Sequence, residues 1–157
     1  MSDISTILAE YAAGPELLAA SVAGLSDADY DATPIPDRWS IRQVVCHVVD
    51  FEIVYADRMK RVLAEENPTM FGGDPDCFAG ALHYLQRSIP EELALMSAIR
   101  KSTARILSQC DLEDFQRTGV HSEDGPITLE TLLENICAHV PHHVKFVNEK
   151  RQALGRT

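Results

Sequence analysis

Three of the six histidines in this chain are spaced for metal chemistry. His139 and His143, in His139-Val140-Pro141-His142-His143, stand four residues apart. On a helix, both imidazoles therefore project from one face. His47 stands far upstream, at the end of Trp39-Ser40-Ile41-Arg42-Gln43-Val44-Val45-Cys46-His47. An imidazole from a second helix would complete a set of three nitrogen donors. Three protein ligands with one open position is how a catalytic metal site is built. A metal ion there lowers the pKa of a bound water or thiol and yields a nucleophile near neutral pH. The other reading of His139 and His143 is a pair of partly buried structural histidines. Spacing alone leaves both readings open, and it does not fix His47 as the third partner.

Helical phase sorts the histidines. At roughly 100° per residue, His143 falls roughly 50° and His139 roughly 90° from the apolar centre of their helix, on the same side. His142 falls roughly 150° away and points to water. His47 lies roughly 100° from the apolar centre of its own helix, again at a flank. Two flanks from different helices can meet in a groove. Because neutral imidazole is the ligand form, metal occupancy is expected to fall as pH drops through about 6.

Other polar residues near these positions are weaker candidates. Asp50, three residues after His47, offers a fourth ligand or an acceptor for an imidazole N–H; an aspartate on a solvated helix face is the plainer reading. Cys46 points away from His47 by phase. His83 and His121 are expected at the surface. Trp39, the single tryptophan, precedes a helix cap and reads as a hydrophobic staple or core anchor. There is no G-x-S-x-G, Walker loop, dinucleotide fingerprint or H-E-x-x-H, so no catalytic residue beyond the metal set is assigned.

Four long helical segments must position these groups. The first spans about Ile4 to Ala23, with Gly14-Pro15 as a break or kink. The second starts at Ser40, with Gln43 completing a capping box, and runs to about Glu66. A short helix begins at Asp74, with Pro75 in its first turn. The third long helix begins near Ser88-Ile89-Pro90-Glu91, another capping-box pattern. It runs to about Ser108, with Leu93, Met96, Ile99, Ile106 and Leu107 facing inward and Thr103 interrupting. Residues 115–127 read as a loop or small β-hairpin. The fourth helix runs from a Thr128 cap to about Leu154, and Pro141 is expected to kink it. Four amphipathic helices of this length make an all-α four-helix bundle.

Composition narrows the function classes. The length of 157 residues suits one domain, residues 1–157. A net charge of −10 argues against nucleic-acid and anionic-membrane partners. No apolar run approaches the roughly 18 residues of a spanning helix. Met1-Ser2-Asp3-Ile4-Ser5 lacks a basic leader region. Cys46, Cys77, Cys110 and Cys137 are scattered, as expected in a reducing cytoplasm.

The Trp-Ser-Ile-Arg-Gln run, with His47 eight residues after the tryptophan and a late His-x-x-x-His on the last helix, resembles the DinB/YfiT-like superfamily. The likeness extends from the first helix to Arg151. It implies up-down-down-up connectivity and one divalent metal ion, zinc or nickel, held by His47, His139 and His143. It also implies association as homodimers and a small-molecule substrate. Some branches are thiol-dependent transferases or isomerases using mycothiol or bacillithiol, and others are described as hydrolases. The expectation is a metal-dependent enzyme activating a water or a low-molecular-weight thiol, as an S-transferase or a hydrolase. The alternative is a metal- or ligand-binding bundle without turnover.

Overall fold

Cap residues legible in the sequence set where two of the four long helices and one short helix begin. In the computed structural model, which describes residues 3–156, the α-helices are α1 (Ile4–Val22), α2 (Asp27–Asp31), α3 (Ile41–Ala64), α4 (Pro75–Ala81), α5 (Ile89–Leu107) and α6 (Leu129–Ala153). Met1 and Ser2, read above for a leader, and Thr157, the last residue of the expected domain, lie outside the described residues. The Gln43 N–H donates to the Ser40 hydroxyl at 3.3 Å, and the Ser40 N–H donates to the Gln43 side chain at 2.9 Å. Two of the unpaired donors at the start of α3 are thereby satisfied. Asp74 accepts from the first turn of α4, and Thr128 accepts the Thr131 N–H at 3.1 Å at the start of α6.

Two hydrophobic clusters define how the long helices run. One joins Leu18 and Val22 of α1, Ile41 to Val49 of α3, Ile89 and Met96 of α5, and Val140 to Val147 of α6. The other joins Ile7 and Tyr11, Met59 and Val62, Leu107, and Leu129 to Ile136. Thus α1 and α6 run from the second cluster to the first, while α3 and α5 run from the first to the second. The molecule is a four-helix bundle with up-down-down-up connectivity. No described helix is long and apolar enough to cross a membrane.

The region after the third long helix forms a hairpin of β2 (Thr118–His121) and β3 (Gly125–Thr128), joined in parallel by the short β1 (Thr69–Met70). Neither β1 nor α2 was expected. Helix α2 is built locally by a Ser26–Asp29 capping box too short to show as a periodic pattern.

Several expectations are corrected. Gly14-Pro15 does not break α1, which passes through it; α6 continues through Pro141, over the span expected of it. Ser88 makes no side-chain cap bond; Pro90 supplies no N–H in that first turn. The inward face of α5 is Glu92, Met96, Arg100, Thr103 and Leu107, whereas Ile106 is exposed. That face is turned by polar contacts: Arg87 binds Glu92, and Arg100 binds Glu52. His121 is buried rather than at the surface, its Nδ1 accepting the N–H groups of Glu123 and Asp124 at the hairpin turn.

Candidate metal centre

Helix α3 is buried almost all round in its first half, and His47 lies within that half. Helix α6 carries His139 and His143 on the face turned toward it. The His47 Nε2 atom lies 3.1 Å from His139 Nε2 and 3.1 Å from His143 Nε2. Among the described residues this trio is the one group of three metal-capable side chains that converges so closely. His142 is exposed and directed away, and His83 is exposed on a left-handed backbone turn.

The trio fits a divalent ion on three counts. Ligands of a tetrahedral zinc at 2.0–2.1 Å are roughly 3.3 Å apart, close to the separations here. Three neutral imidazoles converging through the same nitrogen cannot satisfy one another as donors and acceptors, whereas one cation accepts three lone pairs. Burial, together with mutual repulsion of His139 and His143 with their neighbours, keeps the rings neutral and so in ligand form. His47 is pushed down to about 4 by burial, opposed weakly by Asp50. His139 and His143 are each pushed down to about 3, by burial first and by neighbouring histidines second.

What orients the rings is not the usual carboxylate. The Nδ1 atoms of His47, His139 and His143 are buried without a hydrogen-bond partner. Asp50 does not turn toward them: its carboxylate takes a two-pronged contact from Arg87, at 2.8 and 2.9 Å. The orientation comes from aromatic packing instead. Trp39 lies 5.2 Å and Phe51 4.6 Å from the His47 ring, centroid to centroid, and Phe146 lies 5.7 Å from His143. Trp39 is therefore both a core anchor and a wall of the site. Cys46 points away as expected, its S–H directed at the Tyr84 carbonyl.

One flank of the trio opens to a cleft of about 500 Å³, within the ordinary range for small-molecule sites. Ile35, Trp39, His143 and Phe146 line it, with Arg38 and Lys150. Sequence reasoning passed over Phe146 and Lys150. The spacing His139, His143, Phe146, Lys150 runs four, three, four, which places all of them on one helical face. That signal was available in the sequence; a lysine near a helix end otherwise reads as solvated.

The sequence pattern of the DinB superfamily matches residues 10–147. The chain belongs to the DinB superfamily. Relatives within reach are distant in sequence but similar in extent. A Bacillus cereus protein named "Putative metal-dependent hydrolase" is 27% identical over 152 residues, covering 97% of this chain and 87% of its own. A protein of the same description from Oceanobacillus iheyensis is 28% identical over 135 residues, covering 85% of this chain and 77% of its own. Among solved structures, YfiT from Bacillus subtilis, described as "a probable metal-dependent hydrolase with an unusual four-helix bundle topology", superposes with a TM-score of 0.92. It is 23% identical, with 100% of this chain and 91% of YfiT covered. The DinB-like YjoA of the same organism has a TM-score of 0.67 at 16% identity, with 97% and 93% covered.

Proposed function

We propose that this DinB superfamily member is a divalent-metal-dependent hydrolase of a small molecule, with His47, His139 and His143 as the metal ligands through Nε2. The observation that carries the reading is the convergence of three neutral imidazoles, one buried and two half-buried, beside a cleft of ligand size. The descriptions of the relatives as metal-dependent hydrolases support it. When bound, a divalent ion supplies Lewis acidity and an acidified water or thiol at neutral pH. The chain's own residues do the rest. His47, His139 and His143 fix the donor set on two helices rather than on loops. Trp39, Phe51 and Phe146 hold the rings in place and exclude water from their inner side. The cleft admits substrate from the His143 side.

Thiol transfer is the alternative chemistry of the same site, and zinc and nickel are the metals of first choice for three imidazoles. The test has two stages. Metal analysis of gently purified protein is expected to return one divalent ion per chain. Hydrolysis of ester and amide substrates is then assayed with and without mycothiol, bacillithiol or glutathione. Turnover that needs no thiol supports the hydrolase. Turnover that requires one assigns a transferase. Metal without turnover in either assay would assign a metal-binding bundle.

A further inference from the structure

Lys150 is only 3% exposed, yet its ammonium finds no carboxylate. Among the described residues, none lies within ion-pair distance of it or of Arg38. The stem is enclosed and the ammonium faces the cleft, where it keeps only a small contact with solvent; a cation so largely enclosed ordinarily occurs paired. Its ammonium lies over the face of Phe146, at 5.9 Å from Nζ to the ring centroid. This is the direction a helical side chain takes, back toward the preceding turn. It brings the charge toward His143, whose ring lies a further 5.7 Å on from Phe146.

The same cleft holds a second cation. Arg38 lines it beside Trp39 and raises the cost of the Lys150 charge, in the same sense as burial, which pushes that ammonium below its ordinary value. Three carboxylates also reach the cleft wall, from Asp37, Asp76 and Glu149. Glu149 acts on Lys150 from a distance without pairing with it. Such a wall tolerates a single negative charge better than a doubly charged phosphate, because each added charge meets three like charges.

We propose that this cleft binds the carboxylate of a small-molecule substrate, with Lys150 as its principal contact, Arg38 as its second, and the Phe146 and Trp39 rings flanking the body of the molecule. The substrate is thus a monoanion whose carboxylate lies about two helical turns, roughly 10 Å, along α6 from the reacting group beside His143. The inference deepens the metal-dependent reading, which supplies the reacting group, but its test does not depend on that reading.

Benzoate and its neutral analogue benzamide are titrated into the full-length, metal-stripped protein and followed by calorimetry and amide chemical shifts. Benzoate is expected to bind at least tenfold more tightly than benzamide and to shift amides around Phe146 and Lys150. Lys150→Met, which keeps the apolar stem, should lose at least tenfold in benzoate affinity, while Lys150→Arg should restore it to within a few fold. Equal affinity for benzoate and benzamide, no saturable benzoate binding, or unchanged binding in Lys150→Met would each overturn the proposal. The benzoate–benzamide comparison uses the unmodified chain, so it stands even if Lys150→Met does not fold. Because no metal is present, a negative result here leaves the three-histidine site untouched.

Discussion

The guanidinium of Arg100 takes the place of a backbone donor that Pro15 cannot supply. In an uninterrupted helix, the N–H of residue 15 would bond to the Tyr11 carbonyl. Here Arg100 Nη1 donates to that carbonyl at 2.8 Å. The same side chain donates from Nε to Glu52 at 2.9 Å and from Nη2 to the Ile136 carbonyl at 3.0 Å, and Glu52 accepts the Tyr11 hydroxyl at 2.6 Å. One buried arginine thus ties α1, α3, α5 and α6 together and explains why Pro15 leaves α1 intact.

This junction gives a stability prediction. Removing one partner leaves a buried charge uncompensated, so Arg100→Met and Glu52→Gln should each cost about 3–5 kcal/mol in urea unfolding. Gly14→Ala should also destabilise, because a β-carbon there would sit 1.9 Å from Arg100 Nη1. Losses below about 1 kcal/mol would show that the network contributes little.

The ligand set can be read optically. Trp39 is the only tryptophan and lies 5.2 Å from the His47 ring. Zinc or nickel titration should change its emission and saturate at one ion per chain. His47→Ala, His139→Ala and His143→Ala are each expected to weaken binding at least tenfold, and His142→Ala to leave it unchanged. A silent His143→Ala with a damaging His142→Ala would refute the proposed register.

Burial of the trio predicts an acid-sensitive apo protein. The folded-state values, about 4 for His47 and about 3 for His139 and His143, lie below the unfolded value near 6.5. Between these limits the unfolded chain binds more protons, so stability rises with pH. The contribution is complete above 6.5 and is lost as pH falls toward about 3. Chelated protein should melt ~10–20 °C lower at pH 5 than at pH 7, at roughly 2–4 °C per kcal/mol. A triple histidine-to-glutamine variant should show a flatter profile; parallel profiles would exclude the trio as the cause.

The same burial revises the window for metal release. An imidazole at its ordinary value gives way to protons near pH 6. In the assembled site, protons compete only below about pH 5, since all three rings stay neutral to about 4 or lower. Equilibrium dialysis from pH 8 to pH 4.5 checks this. A release midpoint at 6.5 would mean that the rings are solvated.

Chelation should leave the helices formed. Both hydrophobic clusters are built from aliphatic and aromatic contacts that do not include the three histidines. Circular dichroism of stripped protein is expected to show a cooperative melt at lower temperature. Saturating metal should restore roughly 3 kcal/mol at a hundredfold excess over its dissociation constant. Loss of helix on chelation would make the metal structural.

Much of this molecule is written in local signals. Ser40 with Gln43, Thr128 and Asp74 are caps whose geometry depends on neighbours a few residues away, so the starts of α3, α6 and α4 were legible. The i, i+4 spacing of His139 and His143, and the outward phase of His142, follow from helical geometry alone. The four apolar stripes were enough to specify a bundle. The sequence by itself therefore determined the four long helices and α4, the inward faces of the long ones to a first approximation, and one half of the site.

The tertiary structure decided whatever depended on partners distant in the chain. That His47 meets His139 and His143 follows from α3 and α6 packing antiparallel, which no local pattern encodes. The inward face of α5 turned toward Arg100 and Thr103 because a buried carboxylate on α3 awaited the arginine; apolar periodicity assigns no weight to such a pair. Asp50 was captured by Arg87 instead of facing the histidines, since an ion pair close at hand outcompetes a more distant imidazole. Pro15 reads as a helix breaker until a side chain from another helix fills its missing bond. Lys150 reads as solvated until the cleft beside His143 encloses it. In each case the deciding free energy belongs to a contact between segments, and it comes into being only when the bundle closes.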